Sequence, residues 1–289
     1  GVAGVNHGGT DVWVVKLTST GTIAWQKVLG GSGEDIGYRV QQTTDGGYIL
    51  TGDTTSSDSG DVGVNHGFHD VWVVKLDSAG AIQWQNLLGG TGDEIGSSIQ
   101  QTNDGGYILT GYTDSSSSGD VASGNHGGGD VWVVKLTSTG TIVWQKLLGG
   151  SNYDAGWSIR QTSDGGYILT GDTDSSNSGD VGPNHGHPDV WVVKLYGPTV
   201  KMTSPNGGEN WGAGTIHTVT WNQTGLEGTP VKIELYKGEI FSHPERTIIS
   251  SVPAVTGSFD WTIPADLAPG TDYWVLITSI RYPSMGDST

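Results

Sequence analysis

The amino-acid sequence predicts an all-β protein, in which an incomplete β-propeller of four-stranded blades is followed by a β-sandwich. Three observations lead to this prediction. The 289 residues include 49 glycines and many short runs of Val, Ile, Leu and Trp, a composition typical of strands and turns. A unit of 59 to 60 residues recurs along the first two thirds of the chain, as in propellers and other arrays. After Pro198 the repeat stops, and short alternating strands separated by Gly and Pro turns continue.

Three phrases define the repeat. The phrase DVWVVKL begins at Asp11, Asp70, Asp130 and Asp189. A phrase of the type WQKLLGG begins at Trp25, Trp84 and Trp144. The phrase GGYILTG begins at Gly46, Gly105 and Gly165. Because the spacing of each phrase is nearly constant, we expect copies of one structural unit.

Each unit is predicted to contain four strands. In the first complete unit these are IGYRVQQT (36–43), YILTGDT (48–54), VWVVKL (71–76) and AIQWQNLL (81–88). The TDGG between the first two strands suits a tight hairpin turn that needs positive φ. Along VWVVKL, the side chains of Trp72, Val74 and Leu76 point to one face, and those of Val71 and Val73 to the other. A strand that is apolar on both faces is expected between two other sheets, whereas a β-solenoid, the alternative architecture, usually has much shorter coils.

The predicted units do not add up to a closed ring. The chain begins with the last two strands of a unit, continues with two complete units, and ends the repeat with three strands that reach Leu195. A closed propeller needs at least about four blades. We therefore expect that further blades precede the chain, that the first half-blade completes the last blade, or that another molecule completes the array.

The phrases GGYILTGDT, DVWVVKL and WQKLLGGS resemble the tandem propeller-type repeats of secreted microbial surface proteins. Further along, SPNGGENW, TVTW, IELYKG and WTIPADLAPGTDYWVLITS resemble the Ser-Thr-rich, glycosylphosphatidylinositol-anchored membrane family, the Kre/Knh-type extracellular module. The resemblance implies an immunoglobulin-like β-sandwich over residues 197–289, after a propeller-type repeat domain over residues 1–196. We expect Trp221, Trp261 and Trp274 in the sandwich core, and one further edge strand beyond SMGDST.

The composition limits the classes of partner. A formal net charge of −17, from 30 acidic and 13 basic residues, disfavours nucleic acid, which needs clustered Lys and Arg. No apolar run approaches the roughly 18 residues of a membrane helix, so no membrane insertion is expected. The absence of cysteine excludes disulfides and thiolate sites. Divalent cations and polysaccharides are left as partners, and the acidic, Gly-, Ser-, Thr- and Trp-rich composition indicates an extracellular or cell-surface protein.

Recurring aspartates in the long loop before VWVVKL are the candidate metal ligands. This loop spans about 16 residues, a length that usually needs an internal organiser or a function. Ca²⁺ takes six to eight oxygen ligands, which Asp-, Asn- and Ser-rich loops offer. The candidate ligands are Asp61, Asp120, Asp180 and Asp174. No copy matches an EF-hand loop, so the preferred interpretation is that these side chains cap turns, and Ca²⁺ is kept as the one candidate cofactor.

A histidine stands four residues before each recurring aspartate, at His7, His66, His126 and His185. We interpret it as a buried side chain that bonds the aspartate or a backbone carbonyl and so fastens the loop to the strand. Transition-metal binding is disfavoured, because copies on different blades would lie too far apart. The Trp residues of DVWVVKL and WQKLLGG are expected to pack between blades.

Positions at which the repeats differ are the candidate ligand-binding sites. Tyr38 and Trp157 occupy one such position and Tyr112 another, and an exposed ring there would stack on a sugar. Catalysis is not expected, because the sequence has no nucleophile elbow, phosphate loop or HExxH motif. The sequence therefore predicts a structural or adhesive surface protein that assembles through its incomplete ends into a layer or filament. A carbohydrate-binding module is the first alternative, and a glycan-cleaving enzyme is the second.

Overall fold

The structure is a computed structural model, and it describes residues 4–186, 188–226, 228–238, 243–280 and 286–289. It divides into two compact units, which comprise residues 1–163 with 167–195 and residues 164–166 with 196–289. Apart from one 3-10 turn at Ala254–Thr256, the regular structure of the described residues is β-strand, and the predicted all-β class is confirmed. In this part of the chain, no helix has the length and apolar character needed to cross a membrane.

The first unit is built from strands that follow the repeat. Its strands are β1 (Val12–Leu17), β2 (Ile23–Leu29), β3 (Asp35–Gln42), β4 (Tyr48–Thr54), β5 (Asp70–Leu76), β6 (Ile82–Leu88), β7 (Glu94–Gln101), β8 (Tyr107–Thr113), β9 (Asp130–Leu136), β10 (Ile142–Leu148), β11 (Asp154–Gln161), β12 (Tyr167–Thr173) and β13 (Asp189–Leu195). They form four antiparallel sheets in chain order: a first sheet of β1–β2, a second of β3–β6, a third of β7–β10 and a fourth of β11–β13. The four strands predicted for each complete unit agree with these bounds to within one residue.

The sheets of the first unit pack against one another in chain order, with β4 against β7 and β8 against β11. On β5, Trp72 packs in a cluster with Val12 of the first sheet, whereas Val71 and Val73 pack in a cluster with Trp132 of the third. Every residue of β5 and of β9 is buried. The prediction that these strands are apolar on both faces and lie between neighbouring sheets is confirmed.

A contact between a tryptophan ring and a tyrosine ring recurs at each junction between sheets. The indole of Trp25 meets the ring of Tyr48 edge-on, with 5.5 Å between ring centroids, and its Nε1 donates to the carbonyl of Ser78 at 3.1 Å. The pair Trp84 and Tyr107 repeats the contact at the next junction, at 5.8 Å. Aromatic pairs of this geometry stabilise packing beyond the area they bury. The tryptophans of the WQKLLGG phrase therefore pack between sheets, as predicted.

The lysines of the two interior VWVVKL strands, β5 and β9, are buried and paired. Lys75 Nζ donates to Asp45 Oδ2 at 2.8 Å, and Lys135 Nζ lies 3.0 Å from Asp104 Oδ2. Both aspartates belong to the TDGG-type hairpin, in which Gly46 adopts the predicted positive φ of 82°. The hydrogen bond from Lys75 holds the pKa of Asp45 well below its ordinary value. This pairing explains how an otherwise apolar strand accommodates a cation.

The second unit contains two further sheets. Its strands are β14 (Thr199–Ser204), β15 (Ile216–Thr224), β16 (Pro230–Lys237), β17 (Arg246–Pro253), β18 (Ser258–Thr262), β19 (Tyr273–Ser279) and β20 (Gly286–Ser288). One sheet has the order β14-β15-β18, and the other has the order β17-β16-β19-β20. Gly286–Ser288 forms the edge strand β20 against β19. The expectation of one further edge strand beyond SMGDST stays a prediction.

The core of the second unit contains Trp221 and Trp261 together with aliphatic residues of both sheets. The prediction that Trp274 belongs to this core is wrong. Val275 takes the core position, and because side chains alternate along β19, Trp274 points to the opposite face. There its ring stacks on that of Tyr236, with 4.3 Å between ring centroids. Trp211 packs against the core from the loop before β15.

Candidate functional site

A histidine–aspartate pair closes each long loop onto the DVWVVKL strand. The imidazole Nδ1 lies 2.7 Å from the aspartate Oδ2 in both His66–Asp70 and His126–Asp130. The same Oδ2 of Asp70 also accepts the backbone N–H of His66, at 2.8 Å. The predicted fastening of loop to strand is confirmed. The prediction that the histidine is buried is wrong, because the aspartate is the buried partner and the imidazole stays partly exposed.

The asparagine of each Asn-His-Gly phrase completes this closure. Asn65 Oδ1 accepts the N–H of Gly67 at 2.7 Å, and its Nδ2 donates to the carbonyl of Thr54 at 3.0 Å. Asn184 repeats both bonds on the fourth sheet, to Gly186 and Thr173. The polar groups of the repeated phrase are therefore used to hold the loop in place.

A second buried carboxylate recurs at the first residue of β3, β7 and β11. Asp154 Oδ2 accepts the N–H of Gly150 at 2.7 Å and the Ser175 hydroxyl at 2.8 Å, and its Oδ1 accepts the Thr173 hydroxyl. Glu94 takes the same role on β7, with Gly90 and Thr113. These carboxylates organise the turn between neighbouring sheets, because each of their oxygens receives a bond from the turn or from the adjacent strand.

The two kinds of buried carboxylate meet at each junction between sheets. Asp70 Oδ1 and Glu94 Oε2 both face Gly89, where an added Cβ would collide with them. The same arrangement recurs with Asp11 and Asp35 at Gly30, and with Asp130 and Asp154 at Gly149. Burial raises the pKa of Asp70, Glu94 and Asp130, and the charge of Asp120 raises that of Asp70 further. Because these side chains are fully buried, they offer no surface to a substrate.

The predicted calcium ligands lie in loops of different sheets. Three of them hold their loop through a backbone N–H that donates to a glycine carbonyl: Asp61 to Gly30, Asp120 to Gly89 and Asp180 to Gly149, at 2.9, 2.7 and 2.8 Å. Asp174 donates its N–H to the carbonyl of Tyr153 at 2.9 Å. Within the described residues, no group of three or more His, Asp or Glu side chains is arranged to hold a metal ion. The calcium site stays a prediction, and these bonds favour the turn-organising role.

Two of the predicted ligand-binding residues stand on β-bulges. The register of β3 against β4 shifts at Tyr38, and that of β11 against β12 shifts at Trp157. A bulge turns its extra residue out of the regular pleat, and Tyr38 and Trp157 are 48% and 53% exposed. Burial of part of the ring and the nearby Asp53 raise the pKa of Tyr38 to about 12. Trp157 donates its indole N–H to Asp172.

The third predicted ligand-binding residue has a different environment. Tyr112 takes the position that Asp53 and Asp172 occupy in the other sheets, and its ring packs on that of Tyr153 with 4.9 Å between centroids. Partial burial and the charge of Asp114 raise the pKa of Tyr112 to about 12. Tyr38, Tyr112 and Trp157 lie on the second, third and fourth sheets, one on each.

The two incomplete ends of the repeat, which the sequence analysis identified, carry apolar residues that are largely exposed in the structure. Trp13 is expected to pack between blades, but it is 60% exposed, so the prediction is wrong for this residue. On β13, Val190 is 82% exposed. The equivalent residues Trp72 and Val71 are fully buried. The incomplete strand count at both ends of the repeat is the sequence signal for this exposure.

Comparison with known proteins gives one finding, and it concerns the second unit. A family model described as the Kre9/KNH-like N-terminal Ig-like domain matches residues 204–287. No curated protein matches the chain. The matched residues run from the last residue of β14 into β20 and so span both sheets of the unit. The second unit is therefore similar to a Kre9/KNH-like Ig-like domain, and that match does not extend to the repeats.

Proposed function

We propose that this chain is a structural, non-catalytic protein of the cell surface, located outside the cell. In this proposal the stacked sheets of the first unit form a scaffold, and the Ig-like unit links or displays that scaffold. The uncovered end sheets provide the surfaces through which the scaffold assembles into a layer or filament.

The proposal rests on one observation: the repeated polar residues form hydrogen bonds within the protein. An enzyme needs polar groups that reach a substrate. In the repeats, hydrogen bonds made by Asn65 and His66 fasten the long loop to the strands, with Asp70 as the acceptor for His66. Glu94 is enclosed in a turn between sheets. The same bonds recur from sheet to sheet, as expected when the repeated residues maintain a scaffold.

The Ig-like unit supports the location outside the cell. The Kre9/KNH type is a domain related to yeast cell-wall surface proteins. The acidic net charge of −17 agrees with a protein whose surface is exposed to solvent.

Immunolabelling of intact cells that produce the protein tests the location. Antibodies raised against the purified chain are expected to label unpermeabilised cells, and brief protease treatment of those cells should remove the label. A cytosolic protein measured in parallel controls for cell lysis. Labelling that appears only after permeabilisation would contradict the proposed location.

A carbohydrate-binding role is the second candidate, and the two bulged aromatic residues favour it. Tyr38 and Trp157 are about half exposed, and Trp157 lies beside the partly exposed carboxylate of Asp172, which could accept a sugar hydroxyl. A glycan array probed with the chain and with Trp157→Ala tests this role. Binding that the substitution abolishes would support it, and an array without any bound glycan would rule against it. Release of reducing sugar from a bound polysaccharide would instead indicate the glycan-cleaving alternative.

A further inference from the structure

One asparagine of the Ig-like unit stands in a sequence pattern that the packing of the unit does not explain. Asn222, Gln223 and Thr224 form the pattern Asn-x-Thr, the acceptor pattern for an N-linked glycan. No other asparagine of the chain is followed two residues later by Ser or Thr. The three residues are the last of β15, and Gly225 comes directly after them with a φ of 68°. The pattern therefore lies at the end of a strand, where the chain turns.

The side chains of Asn222 and Thr224 point away from the core. Trp221 faces the core of the unit. Because side chains alternate along a strand, Asn222 and Thr224 point to the outer face of the sheet, and both are exposed. Neither side chain makes a hydrogen bond to another residue that the structure describes. The amide of Asn222 thus differs from those of Asn65 and Asn184, which hold the long loops in place.

Asn222 has a paired strand on one side only. On that side it lies opposite Lys201 of β14. On the other side, the pairing of β15 with β18 ends at Thr220, which lies opposite Ser258. The neighbours of Asn222 on the same face of β15 are the small residues Thr220 and Thr224. A sugar attached to the amide would therefore displace no packed side chain.

We infer that Asn222 is the attachment site of an N-linked glycan. The inference rests on the proposed location outside the cell, because this modification belongs to secreted proteins. The donor is a sugar whose anomeric carbon is bonded to a lipid phosphate. The side-chain nitrogen of Asn222 forms a bond to that carbon, the bond from the carbon to the phosphate oxygen breaks, and the lipid phosphate leaves with the electron pair. The nitrogen gives up one proton to a base of the transferring enzyme, and no oxidant or reductant is needed.

The glycan assigns this part of the outer face to solvent. Near Asn222 the face is polar, with Lys201 and Thr203 exposed and with the hydroxyls of Thr203 and Thr220 bonded to each other at 2.7 Å. N-linked glycans are bulky and solubilising. A glycan on Asn222 therefore keeps this face from packing against another protein surface.

Three substitutions test the site and the pattern separately. Asn222→Gln removes the acceptor. Thr224→Ala keeps Asn222 and removes the hydroxyl that the pattern requires, whereas Thr224→Ser keeps a hydroxyl and so keeps the pattern. Asn210→Gln is the matched control, because Asn210 is an exposed asparagine of the same unit that lies outside the pattern. All three positions are exposed, so the fold should be retained, and circular dichroism with thermal melting checks this.

The experiment is mass spectrometry of peptides from the full chain, purified from the cells that produce it. In the unmodified chain, in Thr224→Ser and in Asn210→Gln, the peptide that contains residue 222 should carry added sugar mass, and fragmentation should locate the sugar on Asn222. In Asn222→Gln and Thr224→Ala the added mass should be lost completely. A peptide without sugar in the unmodified chain, a sugar that persists in Thr224→Ala, or a sugar located on Ser or Thr would each overturn the inference.

Immunolabelling of intact cells distinguishes failure of this inference from failure of the proposed location. Cells that are labelled at the surface but contain a chain with unmodified Asn222 would overturn the glycan and leave the proposed location standing. A glycan on Asn222 of a chain that does not label the surface would support the attachment site and contradict the proposed location.

Discussion

The interior and end copies of the phrase DVWVVKL provide a comparison within one chain. On β5 and β9 every residue of this phrase is buried, whereas on β1 and β13 its residues are largely half-buried or exposed. The local backbone is the same in the two regions, and even the hydrogen bond from the Trp Nε1 to a glutamine Oε1 is kept, at 2.9 Å for Trp72 and 3.1 Å for Trp13. The difference teaches that neighbouring sheets, and not the phrase itself, determine burial in this unit.

Removal of one indole from each region should give the largest contrast. Trp72→Ala is expected to lower the free energy of unfolding by about 3–5 kcal/mol, because it leaves a cavity between two sheets. Trp13→Ala should change it by less than about 0.5 kcal/mol, because the ring is mostly in water. Chemical denaturation measures both. Equal losses in the two variants would contradict the comparison.

Crowding of the buried junction should have the next largest effect. Gly89→Ala adds a Cβ that collides with Asp70 Oδ1 and Glu94 Oε2, and we expect a loss of about 1–3 kcal/mol of unfolding free energy. Gly182→Ala is the control, because nothing lies within 4 Å of its added Cβ. Denaturation of both variants should separate them. A Gly89→Ala protein as stable as the control would show that the two carboxylates do not enclose this glycine.

The buried carboxylates should make stability depend on pH. Burial raises the pKa of Asp70 in the folded chain above its unfolded value, so the folded state binds the proton more tightly and the ionised form is costly at neutral pH. Asp70→Asn should therefore stabilise the chain most near pH 7. The gain should shrink as the pH falls through the raised pKa and vanish below the ordinary aspartate value of about 4.

Urea denaturation of the unmodified chain and of Asp70→Asn at several pH values measures this difference. The lowered pKa of Asp45 acts in the opposite sense, and it affects both proteins equally. A penalty for Asp70→Asn that is the same at every pH would show that the carboxylate acts through its hydrogen bonds alone.

Loss of the histidine–aspartate hydrogen bond should give the smallest difference in unfolding free energy between an interior copy and an end copy. His66→Ala removes a 2.7 Å bond to a buried carboxylate and should cost about 1 kcal/mol of unfolding free energy. His185→Ala removes a pair that is 3.6 Å long and has an almost fully exposed ring, so its cost should be close to zero. Thermal melting of the two variants tests this order, and a larger shift for His185→Ala would reverse it.

The strands of the repeat could be predicted from sequence, because alternation and period depend on local side-chain pattern. The bounds of β4 and β5 follow directly from YILTGDT and DVWVVKL. The junction of Asp70 with Glu94 could not be predicted, because the two residues are far apart in sequence and meet only when sheets stack. The bulges under Tyr38 and Trp157 were signalled only by variation between repeats, which marked an unusual position without giving its geometry.

Exposure of the end faces and the outward position of Trp274 were also beyond local pattern. Trp13 and Trp72 stand in the same phrase, so no property of that phrase distinguishes them. Likewise, Trp274 and Val275 are both apolar, and only the pairing of β19 with β16 decides which of them faces the core. In each case, burial depends on the surface that packs against the residue, and the local sequence does not specify that surface.

Hydroxyl-radical footprinting of the tryptophans tests the stacking of the sheets most directly. In the folded chain, Trp13 should be oxidised rapidly, whereas Trp72 and Trp132 should stay protected until the chain unfolds, because both are fully buried between sheets. Mass spectrometry of the separated peptides gives the three rates. Equal oxidation of Trp13, Trp72 and Trp132 in the folded chain would contradict the stacked arrangement and the function proposed from it.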